Sequence, residues 1–250
     1  MIRTLLIIAG AALVLCVATL SGAAAIGGND LARHGWTWTF KGHGDGGDET
    51  VHFRREDDSP PATRNLAWTG GERLEIDIPG DVTYVQGDTP SVVITGPKSR
   101  VDRVSLVAGR LGWIDDGDEV VVGWGRRSSR LRVVVTAPSV NSFELNSSAD
   151  LAVRDYNQPA LTVRVTGSGE VDVAGETQAV TVDLTGSGEV DLTSLRTTDA
   201  TVSVDGSGDV SVGPTGSARI DITGSGDVDL TRRPANLQQS ISGSGDITQN

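Results

Sequence analysis

From residue 141 to residue 250, apolar and polar residues alternate in short runs, and most runs are broken by Gly-Ser-Gly. "LTVRVTGSGEVDV" (161–173) and "VTVDLTGSGEVDL" (180–192) show the pattern. A period of two is that of a strand with one buried face. With the serine of each Gly-Ser-Gly as position zero, the serines are Ser168, Ser187, Ser207, Ser225 and Ser244, spaced 19, 20, 18 and 19 residues apart. Position minus five reads Val163, Val182, Val202, Ile220 and Gln239, and minus three reads Val165, Leu184, Val204, Ile222 and Ile241. Plus three reads Val171, Val190, Val210, Val228 and Ile247, and plus five reads Val173, Leu192, Val212, Leu230 and Gln249. A degenerate copy around Ser148 places Phe143, Leu145, Leu151 and Val153 in the same columns.

Each copy therefore holds two short strands that meet at a bend. Hairpins would make the two strands of one copy neighbours, whereas coils would lay like columns on one another. The repeated columns favour coils, because stacking gives every copy the same neighbours and the same side-chain demands. The prediction is an all-β domain, a parallel β-helix or β-solenoid with coils of ~19 residues rising by ~4.8 Å each. The structural corners are Gly167-Ser168-Gly169, Gly186-Ser187-Gly188, Gly206-Ser207-Gly208, Gly224-Ser225-Gly226 and Gly243-Ser244-Gly245. Glycine there allows positive φ and close backbone approach. The serines are expected to stack as a column of hydroxyls. Ser147 and Ala149 take the glycine places in the degenerate copy, so either small size suffices there or that corner bends differently.

Catalytic roles for these serines are disfavoured, since the copies are equivalent and the repeats hold no His or Lys to act as base. A phosphate loop is disfavoured too, because a strand and not a helix follows each corner. The column at plus two is the feature that folding alone does not require. It reads Asp150, Glu170, Glu189, Asp209, Asp227 and Asp246, joined at plus four by Asp172, Asp191 and Asp229. Stacked like charges repel by roughly 0.9 kcal/mol per neighbouring pair in water. The column is either a solvated acidic face or a weak candidate cation site, with calcium the ion in question. No other cofactor and no catalytic residue is expected.

Upstream, residues 64–140 carry further strand patterns, such as "RLEIDIPGDVTYV" and "RLRVVVTAP", without a clean register. "RRSSRLR" (126–132) is the one basic cluster and reads as a loop pairing with the acidic surface or, as the alternative, as a contact for anionic glycans or lipid headgroups. Residues 29–63 read as a flexible tether, from "GHGDGGDE" and "REDDSPPATR". Within it, alternating Trp36, Trp38 and Phe40 fit a short strand or a membrane-interface cluster. Residues 1–28 contain one charge, Arg3, and an apolar run long enough for a bilayer-crossing helix. That segment reads as a cleaved signal, ending at Ala23-Ala24-Ala25, or as an uncleaved anchor. The organisation is thus a signal or transmembrane anchor over 1–28, a tether over 29–63 and a solenoid over 64–250, with regular repeats over 141–250.

Composition narrows the partners. The net charge of −12 argues against nucleic acid, which needs a basic face. The only cysteine, Cys16, lies in the apolar segment, so no intrachain disulfide forms. Aromatic residues are 4% of the chain, so the core must be built from aliphatics, chiefly β-branched.

"LEIDIPGDVTYVQGDTPSVVITGP", the strand "VVVTAPSVNSFEL" and the serial GSG[DE][VI] phrases together resemble the family described as putative auto-transporter adhesin, head GIN domain. The resemblance covers about residues 64–250. It implies a right-handed β-helix-like domain exported to the cell envelope, in the periplasm or membrane-anchored, and brings no catalytic residues. The expected function is a non-enzymatic envelope adhesin or surface-binding solenoid, with an envelope glycan, lipid or protein as partner. The alternatives are a structural subunit that self-associates through its C-terminal solenoid end, and a carbohydrate-active β-helix enzyme. The enzyme is disfavoured by a regular column of acids where a set-apart pair would be needed.

Overall fold

The computed structural model describes residues 59–114 and 130–249, together with the backbone of strands Trp36–Phe40, Glu49–Phe53 and Val120–Val121. The apolar helix expected over 1–28 lies outside the described residues, as does most of the 29–63 tether. Among the described residues, no helix is long and apolar enough to cross a membrane. Trp36–Phe40 pairs antiparallel with Glu49–Phe53, which pairs parallel with Val120–Val121, in a small three-stranded sheet.

The second unit, Asp58–Asp115 with Ser129–Asn250, is the solenoid. Every repeat contributes one strand to a nine-stranded sheet before its corner and one to a ten-stranded sheet after it. In the first sheet, Ser142–Leu145, Ala160–Gly167, Ala179–Gly186, Asp199–Gly206, Ser217–Gly224 and Asn236–Gly243 follow in order. In the second, Asp150–Asn157, Glu170–Glu176, Glu189–Thr197, Asp209–Pro214, Val228–Leu230 and Ile247–Gln249 do the same. All these neighbours pair parallel, and the register joins like columns: Val163 lies beside Val182, then Val202, then Ile220. Copies therefore stack as coils and do not fold back as hairpins.

The upstream half is more regular than its sequence indicates. Arg73–Ile76 pairs parallel with Ser142–Leu145, placing Leu74 beside Phe143 and Ile76 beside Leu145. Asp81–Gln86 pairs parallel with Asp150–Asn157, placing Val82 beside Leu151 and Tyr84 beside Val153. "LEIDIPGDVTY" is thus a full coil with Pro79 at position zero. On its other side lies a coil built from Arg110–Trp113 and Arg132–Ala137, with Leu111 beside Ile76 and Val133 beside Val82. Chain order and stack order differ here, because the chain writes the second coil before the first. Three antiparallel strands close this end, Ser91–Pro97, Pro61–Leu66 and Val104–Val107. A short helix, Lys98–Val101, joins them and buries Val101.

The core is the space between the two sheets. Its aliphatic columns are buried, each side chain contributing roughly 1.5–3 kcal/mol when fully removed from water. Among the described residues, the fully buried aromatics Tyr84, Phe143 and Tyr156 sit near the junction of the irregular and regular halves. Phe143 meets Tyr84 edge-on at 5.0 Å and Tyr156 at 6.4 Å. The two phenols keep hydrogen-bond partners, donating to the carbonyls of Ala137 (2.8 Å) and Ala160 (2.5 Å). Burial pushes both Tyr84 and Tyr156 above the ordinary tyrosine range.

Candidate functional site

The solenoid has two long edges, and they are built differently. On the Gly-Ser-Gly edge, geometry repeats from coil to coil. Gly186 adopts φ of 118°, and its carbonyl accepts the N–H of Ser207 at 2.8 Å. Gly188 is needed for a different reason: a Cβ there would stand 2.6 Å from the carbonyl oxygen of Gly169. Ser147, in the degenerate copy, is not among the residues with positive φ, so that corner bends differently. Its hydroxyl bonds to the carbonyls of Ile76 and Ile78. The corner serines do not form the expected column of hydroxyls. They are exposed, and the backbone N–H groups of Ser187, Ser207, Ser225 and Ser244 link the coils instead.

The acidic column lies on the outer face of the ten-stranded sheet, extended by Asp81 beside Asp150. Its members do different things. Arg130 bridges the top, 2.9 Å from Asp150 and 3.4 Å from Asp81. The basic cluster therefore meets the acidic surface at this residue; Arg126–Ser129 lie outside the described residues. From Asp81 to Asp209, the N–H of each column member donates to a carbonyl of the coil before it. At Asp227 and Asp246 it donates to the preceding carboxylate, Asp209 Oδ1 (3.2 Å) and Asp227 Oδ1 (2.8 Å). Aspartate fits this role because its carboxylate is one carbon closer to the backbone than that of glutamate. Glu170 and Glu189, in the middle, are exposed. At plus four, Asp172 takes a two-pronged contact from Arg154, with both distances 3.1 Å. Among the described residues, no group of three or more His, Cys, Asp or Glu side chains converges to hold a metal ion.

The opposite edge is irregular. In the five Gly-Ser-Gly coils, the start of the nine-stranded-sheet strand lies eight residues before the corner serine, as from Ala160 to Ser168 or Asp199 to Ser207. All variation in coil length falls after the corner, where the ten-stranded sheet shifts register beyond Val153, Asp172 and Leu192. Asp155, in the first of these shifts, takes φ of 55°. Irregular corners on a rigid scaffold are where binding groups are usually carried.

A groove of about 560 Å³ runs along this edge. Successive coils line it with Asn157, Gln158 and Pro159, then Glu176, Thr177 and Gln178, then Arg196, Thr197 and Thr198, then Thr215, then Arg232. Thr177 and Thr197 are buried, and their hydroxyls donate to the carbonyls of Ala179 and Asp199, so they build the wall. Gln158 is held by the carbonyl of Val140. Arg196 pairs with Glu176 at 2.7 Å. Gln178 and Thr198 stand exposed at neighbouring coils. These residues occupy no fixed column, so the repeat pattern does not mark them. The signal that points to them is the place where the 18-to-20-residue spacing varies.

With this geometry in hand, comparison with known proteins gives a consistent result. The family model described as "Putative auto-transporter adhesin, head GIN domain" matches residues 72–250. A solved structure of a putative adhesin from Bacteroides fragilis superposes with a TM-score of 0.62 at 18% identity, over 79% of this chain and 100% of that one. A putative lipid binding protein from Parabacteroides distasonis gives 0.50 at 16% identity, over 79% and 99%. A putative adhesin from Parabacteroides merdae gives 0.50 at 15% identity, over the same shares. At these identities the likeness is one of fold. No curated protein matches the chain in sequence.

Proposed function

The chain belongs to the head GIN domain family, and from that premise we propose that it is a non-enzymatic cell-envelope protein that binds an extended polar ligand along the irregular edge of its solenoid. The observation that carries this reading is the groove. It combines amides, hydroxyls and arginine side chains from successive coils at the inter-strand spacing of ~4.8 Å. A chain-like ligand lying along the stack meets a fresh set of donors and acceptors at each coil. Pro159 is the one apolar residue in the lining, which favours a glycan over an acyl chain. Glu176 is the one carboxylate in the lining and is paired with Arg196, whereas glycoside hydrolysis needs two carboxyl groups across the bond. The adhesin description of the family and the uncharged run Thr4–Asn29 support delivery across the inner membrane.

A glycan-array screen of the full chain against a Gln178→Ala/Thr198→Ala variant tests the reading. Hits that weaken in the variant support it, and hits that the variant retains in full place binding elsewhere. Self-association through the last coil is a second reading, carried by Ile241, which is 42% exposed although its column mates are buried. Light scattering at rising concentration tests it, with a strict monomer removing it.

A further inference from the structure

We infer that the ligand of this groove is an acidic polysaccharide, with the guanidinium of Arg232 as the partner of its carboxylates. The inference rests on the groove reading above and specifies its chemistry.

The charge distribution is the first observation. The chain carries a net charge of −12, yet the groove lining holds Arg196 and Arg232 against the single carboxylate of Glu176. The second is how the arginines of the described residues are used. Arg73, Arg110, Arg130, Arg154, Arg164, Arg196 and Arg219 each pair with a carboxylate. Among the described residues Arg103, Arg132, Arg232 and Arg233 make no side-chain ion pair or hydrogen bond, and of these four Arg232 is the one that lines the groove.

The third is that its stem is seated. Gly213 is buried beneath it, and a Cβ there would come within 3.3 Å of Arg232 Cγ and 2.6 Å of Thr231 Oγ1. The absence of a side chain at Gly213 lets the methylenes of Arg232 lie against the coil, while the residue as a whole stays exposed and lines the groove. A planar guanidinium offers two parallel donors that match a carboxylate. The hydroxyl of Thr198 and the amide of Gln178 supply, two and three coils away, the groups that sugar hydroxyls require. The negative charge of the remaining surface repels polyanions in general, so attraction is confined to this edge.

The test uses the full chain in calcium-free buffer at about 0.15 M salt, where exposed charges are screened beyond ~8 Å. Polygalacturonate is titrated in parallel with its fully methyl-esterified form, which keeps the sugar backbone and removes the charge. We expect the acid form to bind about tenfold more tightly, and Arg232→Gln to abolish that difference. Arg219→Ala, which removes the same charge from the outer face of the nine-stranded sheet, is expected to change nothing. Equal binding of the two polymers overturns the acidic-ligand inference while leaving the groove reading intact. Equal loss in Arg232→Gln and Arg219→Ala also overturns it, since bulk charge then explains the effect. Binding of neither polymer overturns it as well, and the groove reading then rests on the array result. Binding of the acid form that neither Arg232→Gln nor Gln178→Ala weakens overturns both.

Discussion

The backbone N–H of Asp246 donates to the carboxylate of Asp227, one coil earlier, at 2.8 Å, where the coils before them use a backbone carbonyl. The acid at plus two is therefore an acceptor in the last coils as well as a surface charge. Asp227→Asn keeps an oxygen in that place and is expected to leave stability within about 0.5 kcal/mol, whereas Asp227→Ala costs about 0.5–1.5 kcal/mol. Urea denaturation of both variants decides. An Asn variant as weak as the Ala variant would mean that charge, and not acceptance, matters there.

The second corner glycine sets how closely coils approach. A Cβ on Gly188 would lie 2.6 Å from Gly169 O and 2.9 Å from Val165 Cγ1. On Gly169 the nearest atoms would be Ala149 O at 2.9 Å and Leu145 Cδ2 at 3.0 Å. Gly188→Ala should cost about 2–3 kcal/mol, at the upper end of overpacking penalties, and Gly169→Ala should cost less. Comparing the two denaturation midpoints checks the ranking. The reverse order would show that the corners do not limit the stack.

The regular half of the fold was legible because stacking imposes one demand on each column. Val163, Val182 and Val202 repeat since each faces the same core and the same neighbours. The coil at Leu74–Tyr84 obeys the same columns and still escaped notice. Its corner reads Ile78-Pro79-Gly80, and residues 87–141 separate it in the chain from Ser142–Asn157, the coil that continues its columns. Register through space is invisible when the intervening chain leaves and returns. The groove was hidden for the opposite reason. Gln178, Thr198 and Arg232 sit where coil length varies, so no column collects them.

Burial along one column gives a further prediction. Ile222 is 1% exposed, while Ile241, its partner in the next coil, is 42% exposed. Ile222→Ala is expected to cost about 2–5 kcal/mol and Ile241→Ala less than about 1 kcal/mol. Comparable losses would indicate that Ile241 is covered in solution, as the self-association reading requires.

Alkaline pH should weaken the fold through Tyr84 and Tyr156. Burial raises both folded-state values above the unfolded value of about 10. Below that pH both states keep the proton and nothing is lost. Above it the unfolded chain releases protons first, so stability falls by up to about 1.4 kcal/mol per pH unit for each tyrosine until the folded values are reached. The Tyr84→Phe/Tyr156→Phe variant should lose less stability than the parent between pH 9 and about pH 11. Identical slopes in urea titrations at several pH values would assign the alkaline loss to other groups.

The exchange of chain order and stack order near one end has a mechanical consequence. The coil at Leu74–Gln86 is gripped along both edges, by Arg110–Ala137 on one side and Ser142–Asn157 on the other. Tension entering from the Pro61 side first meets Pro61–Leu66, itself an edge strand paired on one side only, and behind it a coil that yields only by shearing from both neighbours. Tension on Asn236–Gln249 meets strands paired on one side only and peels them in sequence. A domain held through its Pro61 side under flow therefore gives up its edge strand first, and the doubly held coil behind it is where the load comes to rest.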